Sequence, residues 1–183
     1  MRSRLAALGA AATLLTLTGC SGGEANASLP PVQVVEQPAA SAGGACILWD
    51  YGFIRDAIGV TFTVAGSDQV DDTSTCVVQT ENGDYPTLAL SVVESTKADA
   101  TLFLQDLMPA KATRVKGLGK AGYRLLSGAS GGHGPGVEVT WLSEAAQLQT
   151  LKFTFAKGAK QAQVDQMSTK LVSLAKAMNT TKG

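Results

Sequence analysis

Histidine is almost missing from this chain: His133 is the single one among 183 residues. No Cys-x-x-Cys pair occurs either, so histidine- or thiolate-ligated metal sites lack ligands at usable spacing. An excess of charge of one sign is also lacking. Fifteen basic and fifteen acidic residues balance to zero, which predicts no electrostatic footprint for nucleic acid and no polybasic patch for anionic lipid. Aromatic residues make up 5% of the chain, which argues mildly against a large ligand cavity. No motif pairs two carboxylates across a cleft, so acid–base catalysis finds no positive support. The expectation is a protein that is not an enzyme and needs no metal or cofactor.

What the chain does have begins at its start. Met1-Arg2-Ser3-Arg4 is short and basic, and a largely apolar run from Leu5 to Leu15 follows. That run suits a signal-peptide core and is too short to span a bilayer, and no second apolar run approaches spanning length. Leu17-Thr18-Gly19-Cys20 closes it. The tetrapeptide resembles the lipobox of bacterial lipoproteins. The resemblance implies cleavage before Cys20, a diacylglyceryl group on its thiol, and a lipid-anchored protein facing the extracytoplasmic side of the cell membrane. Two acyl chains, at about 0.8 kcal/mol per buried methylene, suffice for a stable anchor. Arg2 and Arg4 would leave with residues 1–19, so 13 basic residues then face 15 acidic ones.

With Cys20 consumed by lipid, Cys46 and Cys76 remain as an even pair in an oxidising compartment, and a disulfide is expected between them. From Ser21 to Gly44 the chain is rich in Gly, Ala, Ser and Pro without a sustained period, which reads as a tether. Residues 20–44 are thus the lipidated cysteine and linker, and 45–183 a single domain. Asn26-Ala27-Ser28 and Asn179-Thr180-Thr181 match the glycosylation triplet by chance.

Within the domain the hydrophobic period alternates between helix and strand values. Ile47, Tyr51, Ile54 and Ile58 share a helical face that Gly59 stops. Phe62 and Val64 begin a strand, residues 66–74 read as an acidic loop, and a second strand runs from Cys76 to Thr80. Asn82-Gly83 suits a tight hairpin turn before a third strand that buries Leu88, Leu90 and Val92. Thr96 can cap a second helix, with Ala100, Phe103, Leu104 and Leu107 buried and Pro109 as its end. Three more strands are expected over 123–127, 137–143 and 148–156, with Leu151, Phe153 and Phe155 inward and Thr150, Lys152 and Thr154 outward. Val164, Met167, Leu171, Leu174 and Met178 mark a last helix over 159–178. The expected fold is α+β: an antiparallel sheet of about six strands, ordered α-βββ-α-βββ-α, with helices on its apolar side.

Cys46 leading a helix that ends at Gly59, Cys76 in a strand, and Val115-Lys116-Gly117-Leu118-Gly119-Lys120-Ala121 resemble a family of actinobacterial cell-envelope lipoproteins of unknown function, with a mid-domain Gly-Leu-Gly-x-Ala segment. The alternation of elements is also similar to the Mog1/PsbP-like lipoproteins. These resemblances imply a non-enzymatic envelope domain and supply no catalytic residue.

Three apparent motifs carry less than they suggest. Gly117 to Gly122 fits a dinucleotide-binding glycine pattern, but a strand follows it instead of a helix. Gly128-Ala129-Ser130-Gly131-Gly132 beside His133 fits a nucleophile elbow, yet a hairpin loop is the better reading because a strand follows here too. Asp68, Asp71 and Asp72 lack the spacing and terminal glutamate of a calcium loop and read as solvated. Two functions stand. The domain is expected to be a binding module that docks an envelope protein or cell-wall partner through its polar sheet face or the 127–136 loop. The alternative is a carrier of a small apolar ligand or lipid, which an apolar cavity of several hundred Å³ between sheet and helices would favour.

Overall fold

The structure is a computed structural model that describes residues 37–94 and 99–180, with side chains to 178. The signal, Cys20, most of the linker and Thr96 lie outside the described residues. Val35–Gly183 forms one compact unit, and every member of the buried core lies between Ala39 and Ala175.

The fold begins ahead of Ala45. Ala39–Ala42 and Gly44–Leu48 are 3-10 turns, and Ala39, Ala45 and Trp49 are buried. Helix α1 follows, Tyr51–Ile58. It starts where it does because the Asp50 carboxylate accepts from the Phe53 N–H at 2.8 Å. It stops at Gly59, which takes φ 78° and donates its N–H to the Arg55 carbonyl at 2.7 Å. Ile47, expected on the buried face of this helix, is 67% exposed and belongs to the preceding 3-10 turn. Trp49 is buried there instead.

Seven antiparallel strands make one sheet: β1 Val64–Val70, β2 Thr73–Gln79, β3 Thr87–Glu94, β4 Thr113–Arg114, β5 Ala121–Ser127, β6 Gly136–Leu142 and β7 Gln147–Thr154. Their order across the sheet is β1-β2-β3-β7-β6-β5-β4. The α+β class and antiparallel sheet are as expected, while the two-residue β4 is one strand more. The expected acidic loop over 66–74 is a hairpin: Asp68 lies in β1, and the turn is only Asp71-Asp72, with Asp71 at φ 50°. The β2–β3 connection is longer than a tight Asn-Gly turn and contains a cis Tyr85–Pro86 bond.

Alternation decides which face each strand buries. Cys76 and Val78, Leu88 and Leu90, Leu151 and Phe153, and Val137, Val139 and Trp141 share one face in register. Helix α3, Gln161–Thr180, lays Val164, Met167, Leu171 and Leu174 on that face as its 3.6 period predicts. The disulfide Cys46–Cys76 spans 4.9 Å between Cα atoms and ties the N-terminal 3-10 turn to β2, with both cysteines fully buried.

The middle helix is a departure. Here α2 is Ala100–Leu102, capped by Asp99, and it continues as a π turn over Phe103–Leu107. Asp99 Oδ1 accepts from the N–H groups of Thr101 and Leu102 at 2.8 and 2.9 Å. The wider π turn shifts the helical phase, so Phe103 is buried while Leu107, expected on the same face, is exposed. Phe103 packs with Tyr123 and Leu142, residues of opposite strand parity to Arg124 and Trp141. The segment therefore covers the other face of the sheet, and the helices do not all lie on one side.

Candidate cleft and surrounding surfaces

At the end of β7 the sheet runs out. Thr154 pairs with Thr87, the first residue of β3, and beyond it Phe155 holds only the 134–135 stretch through its backbone. The apolar alternation nevertheless continues to Phe155, which makes an edge-on contact with Phe153 at a centroid distance of 4.7 Å. The C-terminus of α1 and the N-terminal half of α3 stand over this end. A cleft of about 460 Å³ opens between them. Its apolar wall includes Ile58, Pro86, Phe153, Phe155 and Met167.

The polar part of the lining is of one kind. Lys157, Lys170, Gln163 and Gln166 contribute to it, and among the described residues no Asp, Glu, His or Cys does. Lys170 Nζ donates to the Ile58 carbonyl at 2.9 Å, satisfying an acceptor left over at the α1 terminus. An ammonium carries three donors, and this bond uses one. Close approach also explains Gly59, where an added Cβ would meet Lys170 Nζ at 3.1 Å. Gln163 Oε1 accepts from the Lys160 N–H at 2.8 Å and so fixes the start of α3 beside the cleft. Two positive side chains at the mouth of an apolar recess can hold an anionic head above an apolar body.

The opposite sheet face carries a row of polar residues in register: Thr75, Ser91, Thr150, Thr140 and Tyr123. Much of this row is engaged with itself. Thr140 and Thr150 hydroxyls lie 3.2 Å apart, Thr140 Oγ1 donates to Glu138 Oε1 at 3.3 Å, and Thr140 and Tyr123 are buried. Thr154, expected outward, is buried as well. Burial pushes the Tyr123 phenol above its ordinary pKa and the Glu138 carboxylate adds to the rise, while a hydrogen bond with Thr140 works against it.

The sequence motifs find structural roles. Cys46 and Cys76 are bridged. Gly117 to Gly122 runs from the β4–β5 link into the start of β5, and Leu118 is buried in the core. Gly119 has φ 53°, and a Cβ there would sit 2.2 Å from the Leu142 carbonyl oxygen, so only glycine fits. Ser130 is exposed in a turn that leads to β6, and His133 Nδ1 donates to the Gly134 carbonyl at 2.6 Å with its ring against Tyr85. Among the described residues no three His, Cys, Asp or Glu side chains gather as a metal site, and no helix is long and apolar enough to cross a membrane.

The balanced net charge hides a division. Residues 37–94 hold eight acidic residues and one basic, whereas 99–180 hold five acidic and ten basic. Because the first segment supplies β1 to β3 and the second β4 to β7, the sheet is acidic toward its β1 edge and basic toward β4. The expectation of no polybasic patch fails locally, because net charge averages over both halves.

No motif in the sequence points to Lys157 or Lys170. The available signals were the alternation running past the strand end to Phe155 and Lys157, and a lysine three residues from the buried Met167. The chain matches no protein-family model, no curated protein and no solved structure.

Proposed function

We propose that this chain is a lipid-anchored extracytoplasmic lipoprotein whose domain binds, without transforming it, a small amphiphile with an apolar body and an anionic head. The lipobox ending at Cys20 supports the anchor, and membership of the actinobacterial envelope family is part of the same proposal. The observation that carries the ligand reading is the cleft of about 460 Å³ with an aromatic and aliphatic wall and, among the described residues, lysines as its only charged lining. Ligand sites of about 300–1,000 Å³ with a few convergent polar groups are the usual size and make-up. Carriage is placed ahead of docking an envelope partner because the central hydroxyls of the polar sheet face, those of Thr140, Thr150 and Tyr123, are engaged within it.

The test is a titration of the domain with straight-chain carboxylates from octanoate to tetradecanoate, and with the matching alcohols, by calorimetry and NMR. Each added methylene should tighten binding about fourfold until the cleft is full. The acids should bind better than the alcohols, and Lys170→Gln should remove that preference while retaining chain-length dependence. Equal affinity for acid and alcohol, or shifts that avoid Phe153, Phe155 and Met167, would contradict the reading.

A further inference from the structure

We infer that the β4 edge of the sheet is a docking face for an anionic lipid bilayer, separate from the cleft. Residues 111–124 contain five basic side chains and no acidic one. Four of them, Lys111, Arg114, Lys116 and Lys120, are exposed. The fifth, Arg124, is half-buried and donates to Ser168 Oγ at 3.0 Å. The fold adds Lys176 from α3, whose Nζ lies 4.0 Å from where a Cβ at Gly117 would stand. Among the described residues none of these groups is in an ion pair, and the one pair there is Arg55–Asp56, at 3.2 Å. Five exposed charges on one short edge, unanswered by carboxylates, form an attractive surface for phosphates.

Two further observations favour a bilayer over a soluble polyanion. Leu107 is 46% exposed four residues ahead of Lys111, so the segment that leads into the basic edge also offers an exposed apolar side chain, as lipid-interface segments do. The acids of β1 and its hairpin lie at the far edge, about six strand spacings or roughly 29 Å away. A negatively charged membrane would thus repel one edge and attract the other, giving the domain a single orientation. From Cys20 to Pro38 the chain has eighteen residue steps, enough to cover up to about 60 Å, so a lipid on Cys20 is compatible with the basic edge facing the bilayer.

The experiment is sedimentation of the chain from Val35 onward, which contains the whole core and no lipidation site. The vesicles are phosphatidylcholine alone or with phosphatidylglycerol. Binding should require phosphatidylglycerol and fall steeply with salt. Each basic residue lost should weaken it about fivefold, so combining Lys111→Gln, Arg114→Gln, Lys116→Gln and Lys120→Gln should abolish it with thermal stability unchanged. Lys152→Gln with Lys160→Gln, and Lys170→Gln separately, should bind as the parent does. Binding lost in Lys170→Gln but kept in the fourfold variant would assign the lipid to the cleft and overturn the edge proposal while leaving the ligand reading intact. Failure to bind phosphatidylglycerol vesicles would overturn it too, as would binding of dextran sulfate with no binding to vesicles.

Discussion

Replacing both Cys46 and Cys76 by alanine should cost this domain much of its stability, and in a defined order. The bridge joins residues 30 apart in sequence, and closing a loop of that size in the unfolded chain is worth roughly 3.5 kcal/mol. Each lost sulfur also leaves a small void, on the order of 1 kcal/mol, since both sites are fully buried. A domain of about 145 residues unfolds with an entropy near 0.3 kcal/mol/K, so the melting temperature should fall by roughly 15–20 °C. The loss should begin locally. Residues 39–49 are 3-10 turns and loop, outside the sheet ladder, and Cys46 ties them to β2. Amide exchange across 39–49 and β1 should accelerate before any change in β3, β6 or β7. Scanning calorimetry and hydrogen-exchange mass spectrometry read the two effects. A fall of under about 3 °C would refute the loop-closure argument, and uniform acceleration across the sheet would refute the local one.

Tyr123→Phe should change the alkaline limb of stability. The folded phenol holds its proton above the ordinary value near 10, so its contribution is full below that pH and lost as pH rises through the folded pKa. The stability advantage of the parent over the variant should shrink across that window in paired urea titrations, and a difference independent of pH would count against it. Cys20→Ala in the full chain should move the protein from the membrane fraction to the soluble fraction at high salt, where the basic edge is screened. Retention of the variant in membranes under those conditions would sink the anchored reading.

Much of the fold was legible because it rests on periodicity. Leu88, Leu90 and Val92 in β3, Leu151 and Phe153 in β7, and the apolar stripe of α3 are buried as their spacing requires. Where polar residues fill a strand the signal fails: β1 is largely exposed, so Asp68 and its neighbours read as loop. Ile47 fitted a helical spacing but lies ahead of Asp50, whose carboxylate caps the helix; that capping signal was present and outranks the period. Leu107 fitted the same way until the π turn changed the phase. The cleft was not legible, since it arises where the chain beyond β7 passes the end of β3 and two helices converge. The charge division was legible by halves and concealed only by the sum.

Native mass spectrometry of the protein released from its own envelope asks directly whether an anionic amphiphile is held beside Lys170. The expected result is a reproducible added mass that extracts into organic solvent as an acid and that Lys170→Gln diminishes. A bare protein mass at gentle activation, from parent and variant alike, would contradict it.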